Sequence, residues 1–174
     1  MLEASPDDAA TLRFERLVAP WRDDLYRYAM WLCRDPQLAD DVVQEAMLRA
    51  FRSLESLKDE ALAKTWMLTI VRREHARVYE RKRLDTRDID ELGPADAALL
   101  ATSESTDVDD MRRAILELAD EYREPLVLQV LMGLSTAEIA EALELKQGAV
   151  LTRLHRARRK LAERFGAELA AVEE

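Results

Sequence analysis

Ser135-Thr-Ala-Glu138-Ile139-Ala140-Glu-Ala-Leu143-Glu144-Leu-Lys146-Gln147-Gly-Ala-Val150-Leu151-Thr152-Arg153-Leu154-His155-Arg156-Ala157-Arg158-Arg159-Lys160-Leu161 is the stretch that decides the fold. Its first four residues form a capping box: Ser135 accepts from the amide three positions on, and Glu138 reaches back to the amide of Ser135. Ile139, Ala140 and Leu143 give the short helix that follows one apolar side. A tight break at Glu144-Leu-Lys146 comes next. From Gln147 onward, Val150, Leu154, Ala157 and Leu161 make a single helical stripe. Arg153, Arg156, Lys160 and Arg164 stand on the other side, with Arg158 and Arg159 adding charge. A short capped helix, a tight turn and a basic amphipathic helix make a helix-turn-helix. Its second helix is expected to enter the major groove by its N-terminal part. Gln147, Leu151 and Thr152 then face base edges, and Arg153 and Arg156 face phosphates or guanine. A solvated basic helix at the end of a bundle is the plainer alternative.

The rest of the chain agrees with a helical build. Of 174 residues, 48% are hydrophobic and 35% charged, while Gly (4), Pro (5) and aromatics (6%) are scarce. This composition favours an all-α fold. Cys33 is the only cysteine, so an internal disulfide is excluded, and its apolar setting marks it as a buried thiol. With His75 and His155 as the only histidines, a structural zinc site of the usual kind is excluded as well. The opening residues Met1 to Asp8 lack a basic start and an apolar run, and no stretch reaches membrane-span length, so a cytoplasmic protein without membrane insertion is expected.

The net charge of −9 argues against a nucleic-acid partner until its distribution is read. Residues 1–83 balance fifteen basic against fifteen acidic side chains. Residues 84–110 set nine acids against Arg87 alone, and residues 111–174 set eleven acids against ten bases. The excess therefore lies in one short middle segment, leaving the flanks free to carry basic faces. That segment also holds Gly93-Pro94 and Thr102-Ser-Glu-Ser-Thr106, without a sustained apolar period. It reads as an acidic flexible linker over 85–107, joining two small helical domains over 8–84 and 108–166.

In the first domain, Asp35-Pro36 starts a helix that runs through Leu38, Val42, Ala46 and Ala50 toward Leu54. Phe14, Leu17, Leu25, Tyr28, Ala29 and Leu32 mark helices meeting near Pro20, and a long helix from Trp66 ends strongly basic at Arg83. In the second, Met111, Ile115 and Leu118 give one helix. Leu126, Val127, Val130 and Leu131 give the next, with Gly133 as its C-cap. Asp40, Asp41, Gln44 and Glu45 form a polar ridge, with Arg49 and Arg52 toward the helix end. Dipole complementation and i,i+4 pairing explain that ridge as readily as a binding role. Arg72, Arg73, Arg77, Arg81, Lys82 and Arg83 either track phosphates or form a solvated face.

Two motifs resolve these choices by resemblance. Ala39-Asp-Asp-Val-Val-Gln-Glu45-Ala-Met-Leu-Arg49-Ala-Phe-Arg52, followed by Lys64-Thr-Trp66-Met-Leu-Thr-Ile70, resembles region two of the bacterial sigma factors of the extracytoplasmic function class. Leu134-Ser-Thr-Ala-Glu138-Ile-Ala140 through Gly148-Ala-Val-Leu-Thr-Arg153-Leu-His-Arg156-Ala-Arg158 resembles region four. The likeness covers about 12 to 165 and implies a sigma region 2-like bundle and a sigma region 4-like helix-turn-helix domain. It implies an alternative sigma factor, with RNA polymerase core (its β and β′ subunits), promoter DNA and an anti-sigma factor as partners. Asp40, Asp41, Gln44, Glu45 and Arg49 would then dock on the polymerase. The loop Leu57 to Thr65 and the following helix would open the minus-ten element, through Lys58, Lys64, Trp66, Arg72, Arg73 and Arg77. Gln147, Leu151, Thr152, Arg153, Arg156 and Arg158 would read the minus-thirty-five element. The acidic linker would thread the polymerase's RNA exit path.

The chain departs from the family pattern at Arg73, where Asn is frequent, at Glu144, where Gly is frequent, at Ala149, where Thr is frequent, and at Leu151, where Lys or Arg is usual. Leu151 is expected to replace a polar contact by an apolar one to a thymine methyl. A helix-turn-helix regulator acting without polymerase docking is the rival reading, but it leaves the ridge and the linker unexplained. A helical protein binding an acidic partner is a third, and predicts no salt-dependent DNA binding. An enzyme is the weakest: the sequence has no phosphate loop, metal-ligand cluster or nucleophile elbow, so no catalytic, metal or cofactor residues are expected.

Overall fold

The computed structural model describes residues 6–85 and 106–172, with side chains for 8–81 and 108–166. The chain divides into two compact units, Met1–Gly93 and Pro94–Glu174. Every described element is helical. The expected linker over 85–107 lies almost wholly outside the described residues. At its margins, Asp85 closes the last helix of the first unit and Thr106 opens the first helix of the second.

The first unit begins with α1 (Pro6–Val18), a 3-10 turn (Ala19–Trp21) and α2 (Arg22–Cys33). Pro20 sits in that turn, where its missing N–H and fixed φ end one helix and redirect the chain. Arg34, at φ +54°, closes α2 with its N–H on Met30 O. The cap of α3 (Pro36–Arg52) is the one expected: Asp35 accepts from the amides of Gln37 (2.9 Å) and Leu38 (3.1 Å), with Pro36 at the first turn. Two further 3-10 turns, Leu54–Ser56 and Glu60–Leu62, lead into α4 (Ala63–Asp85). The expected loop is therefore shorter than Leu57 to Thr65, because the helix begins at Ala63 rather than Trp66.

α2, α3 and α4 pack on one another. Leu25, Tyr28 and Ala29 meet Ala39, Val42, Ala46 and Ala50, and Met67, Leu68 and Val71 complete the core. The alanines of α3 let its neighbours approach closely. Ala39 replaces the expected Leu38, which is only half-buried. Cys33 is buried and forms no disulfide. α1 is tied down by Arg13 and Arg16, both bridging to Glu60 at 3.1 Å, and by the edge-to-face contact of Phe14 with Phe51.

The second unit comprises α5 (Thr106–Glu117), α6 (Asp120–Val130), α7 (Thr136–Ala142) and α8 (Gln147–Val172). Arg123 donates to the carbonyls of Leu116 (2.9 Å) and Leu118 (3.3 Å), covering the open C-terminal end of α5. α6 ends at Val130 with Leu131 as its C-cap, two residues before the expected Gly133, which takes φ +71° in the turn that follows. The apolar assignments along α5 and α6 shift: Met111, Val130 and Leu131 are exposed, and Ala114, Leu116, Leu128 and Met132 take the buried positions. α8 runs six residues past the expected domain end at 166, to Val172.

Candidate nucleic-acid interface

The helix-turn-helix is built by local chemistry. Ser135 Oγ accepts from the amide of Glu138 (3.3 Å), and Glu138 Oε2 accepts from the amide of Ser135 (2.8 Å), completing the capping box. At the other end of α7, Leu145 N–H donates to Ala140 O (2.9 Å) and Glu144 N–H to Glu141 O (3.2 Å). These two bonds are a Schellman closure with Glu144 in the left-handed position at φ +56°. Ile139, Ala142 and Leu143 are buried against Val150, Leu154 and Ala157, which fixes the roll of α8.

That roll sorts the cations of α8. With the stripe of Val150, Leu154 and Ala157 inward, the outward face carries Gly148, Thr152, His155, Arg156 and Arg159. Gln147 and Leu151 share one flank, and Leu151 is 54% exposed. Arg153, Lys160 and Arg164 form the opposite flank, turned toward the neighbouring helices. Lys160 lies over the Tyr122 ring, 5.7 Å from its centroid, and Arg164 pairs with Glu117. Arg158, expected on the DNA side, donates to Gln129 of α6. Thr152 Oγ1 donates to Gly148 O (2.9 Å). His155 was missed by sequence reasoning. It stands four residues after Leu151 on the exposed face, a signal the periodicity already held.

On α3, the ridge faces outward. Asp40, Asp41 and Gln44 are exposed, and Glu45 is half-buried. Gln44 Nε2 donates to Asp40 Oδ2 at 2.8 Å. Leu48, 53% exposed, stands one turn beyond Gln44 on the same face, an apolar member that a search for charges passes over. A shallow groove lined by Tyr26, Arg27, Asp40 and Val43 runs beside the ridge. Arg49 leaves the ridge: its guanidinium bonds to the carboxylate of Glu74 on α4, while staying 3.7 Å from Glu45. Glu74 is fully buried and also takes Arg77, and its Oε2 has no hydrogen-bond partner.

The residues expected at the minus-ten element fall into four places. Trp66, Arg73 and Arg77 share one flank of α4, with Trp66 half-buried. Arg72 lies on the other flank, beside His75 and Tyr79, whose rings stand 6.2 Å apart. Lys58 is exposed in the loop. Lys64 is drawn back to α2, 3.0 Å from Asp24 and 4.8 Å above the Trp21 ring. Among the described residues no cluster of His, Cys, Asp and Glu is placed to hold a metal ion, and no helix is long and apolar enough to cross a membrane.

A helix-turn-helix with an exposed cationic reading helix, in a chain whose other unit is also a small helical bundle, defines a DNA-binding protein of the transcription machinery. Residues 17–84 match the family described as Sigma-70 region 2, and residues 109–161 match Sigma-70, region 4. The chain is 33% identical over 147 residues to the ECF RNA polymerase sigma factor SigL of Mycobacterium tuberculosis, covering 79% of this chain and 80% of that protein. It is 30% identical over 152 residues to the RNA polymerase sigma-E factor of Streptomyces coelicolor, covering 87% and 85%. Among solved structures, CnrH in complex with the cytosolic domain of CnrY aligns at a TM-score of 0.65 and 26% identity, covering 88% of each chain. This chain belongs to the sigma-70 family of RNA polymerase sigma factors, in its extracytoplasmic function class. It is an alternative sigma factor, a promoter-directing initiation factor.

Proposed function

We propose that the two units divide promoter recognition between them, over the limits 8–84 and 108–166, joined by the acidic segment 85–107. The ridge of Asp40, Asp41, Gln44 and Glu45 docks on the RNA polymerase core, at its β and β′ subunits, with Leu48 as the apolar centre of the contact. The observation that carries this assignment is the outward placement of the ridge around an exposed leucine on a helix whose inner face is fully used by the core. Arg49 positions Glu45 and braces α3 on α4.

Trp66, Arg73 and Arg77, with Lys58, hold the opened minus-ten strand. The half-exposed indole stacks a base, and the cations follow the backbone. Arg72 serves the opposite flank, and Lys64 orients the loop through Asp24. In the second unit, Gln147, Leu151, Thr152, His155 and Arg156 face the minus-thirty-five duplex. Arg153 reaches phosphate from the flank, and Arg158 fixes α8 on α6. The chemistry of RNA synthesis belongs to the polymerase, so this chain needs no catalytic group, and it acts in the cytoplasm with the core enzyme. An anti-sigma factor that covers these same faces is the proposed regulator.

In vitro transcription tests the reading: purified protein and sigma-free core polymerase on a library of genomic promoter fragments, with transcript starts sequenced. Discrete starts sharing two upstream motifs are expected. Fragment binding without any starts would instead fit a regulator that works without docking.

A further inference from the structure

The first two turns of α8 present little hydrogen-bonding chemistry for a reading helix. Leu151 is 54% exposed, a large apolar side chain with no core to fill. Thr152 donates its hydroxyl hydrogen to Gly148 O at 2.9 Å, so it offers DNA a methyl group and an acceptor. At Gly148, a Cβ built on the backbone meets nothing within 4 Å, which leaves that side of the helix bare for close approach. Arg153 lies on the opposite flank, so the side chain able to read a base by paired hydrogen bonds beside Leu151 is Gln147, one turn before it on the same flank. A glutamine amide matches adenine N6 and N7, and an apolar side chain matches the one apolar group in the major groove, the C5-methyl of thymine.

We propose that Leu151 is a specificity-determining residue that reads a thymine methyl in the minus-thirty-five element, next to an adenine read by Gln147. This rests on the assignment of α8 to the minus-thirty-five duplex. A protein partner that buries Leu151 is the competing explanation for its exposure. The DNA assignment is favoured by the residues around it: Gln147, Thr152, His155 and Arg156 form a polar and cationic surface rather than an apolar patch.

Deoxyuridine scanning isolates the methyl group. Holoenzyme is assembled from the full chain and core polymerase, on the promoter obtained by transcript mapping. Each thymine of the upstream motif, on either strand, is replaced singly by deoxyuridine, and affinity is measured by competition. One position, or two adjacent ones, is expected to weaken binding about four-fold, the value of one buried methyl-sized group. In Leu151→Ala that penalty falls below about two-fold, while thymines elsewhere in the motif behave as before. Leu151→Arg shifts the preferred base at the same position to guanine by about ten-fold. The exposure of Leu151 means that neither substitution disturbs the fold, which an unchanged melting curve checks. No position sensitive to methyl loss, or equal sensitivity in wild type and Leu151→Ala, overturns the proposal and leaves Leu151 to a protein contact. Initiation from the unmodified promoter is read in parallel, so failure of this inference is distinct from failure of the sigma reading itself.

Discussion

Glu144 holds the turn between α7 and α8 at φ +56°, in a position where a side chain crowds its own carbonyl. The left-handed conformation disfavours a residue with a Cβ by about 1–2 kcal/mol. Glycine removes that strain but gives the unfolded chain more freedom, offsetting about 0.5–1 kcal/mol of the gain. Glu144→Gly is therefore expected to stabilise the second unit by about 0.5–1 kcal/mol. Hydrogen exchange at the α7 amides reads this, and faster exchange in the variant would reverse the argument. Sequence alone located this turn, because caps and turns are written in adjacent residues. It did not reveal that the Schellman bonds of Leu145 and Glu144 survive without glycine.

α3 and α4 meet through a carboxylate that neither helix announces. Glu74 is fully buried, while the side chains of Arg49 and Arg77 are 45% and 47% exposed. This asymmetry ranks two substitutions. In Glu74→Gln the buried charge disappears and both guanidiniums turn to water, so the loss is about 1–2 kcal/mol, below that for breaking a fully buried pair. In Arg49→Met the carboxylate stays buried with Arg77 alone, and the loss is about 2–3 kcal/mol. Denaturant melts of the two variants check the order, and a milder Arg49→Met would refute it. Here the sequence was less legible. Asp35-Pro36, Pro20 and the stripes of α3 and α8 depend on local spacing and were readable. The partnerships of Arg49 with Glu74, Lys64 with Asp24 and Arg158 with Gln129 depend on which helices become neighbours. The same holds for Val130 and Leu131, exposed apolar residues at the C-terminal end of α6.

For the whole molecule, the proposed docking and DNA-reading surfaces lie on different helices and are expected to separate by mutation. Asp41→Arg combined with Glu45→Arg is expected to abolish core binding and leave helical content intact, since Asp41 is exposed and Glu45 half-buried. Circular dichroism and co-sedimentation with core polymerase measure the two halves of that statement, and normal core affinity would remove the ridge from the docking surface. The order of the two motifs along the chain was legible because each is a contiguous segment, whereas the limits of the acidic segment were blurred where Asp85 and Thr106 continue helices. The three tryptophans, Trp21, Trp31 and Trp66, all lie in the first unit. Trp31 is 6% exposed, and Trp21 lies beneath the Lys64 ammonium. Trp66 is only half-buried, on the flank of α4 assigned to the opened strand. Light absorbed by indole alone therefore reports on one half of the chain. Stacking of a base on Trp66, as proposed, is expected to dim that emission when single-stranded promoter DNA is added, and Trp66→Phe is expected to abolish the change, which fluorescence titration checks. The proposed strand capture thus comes with an optical gauge built into the first unit, which holds every indole of the chain.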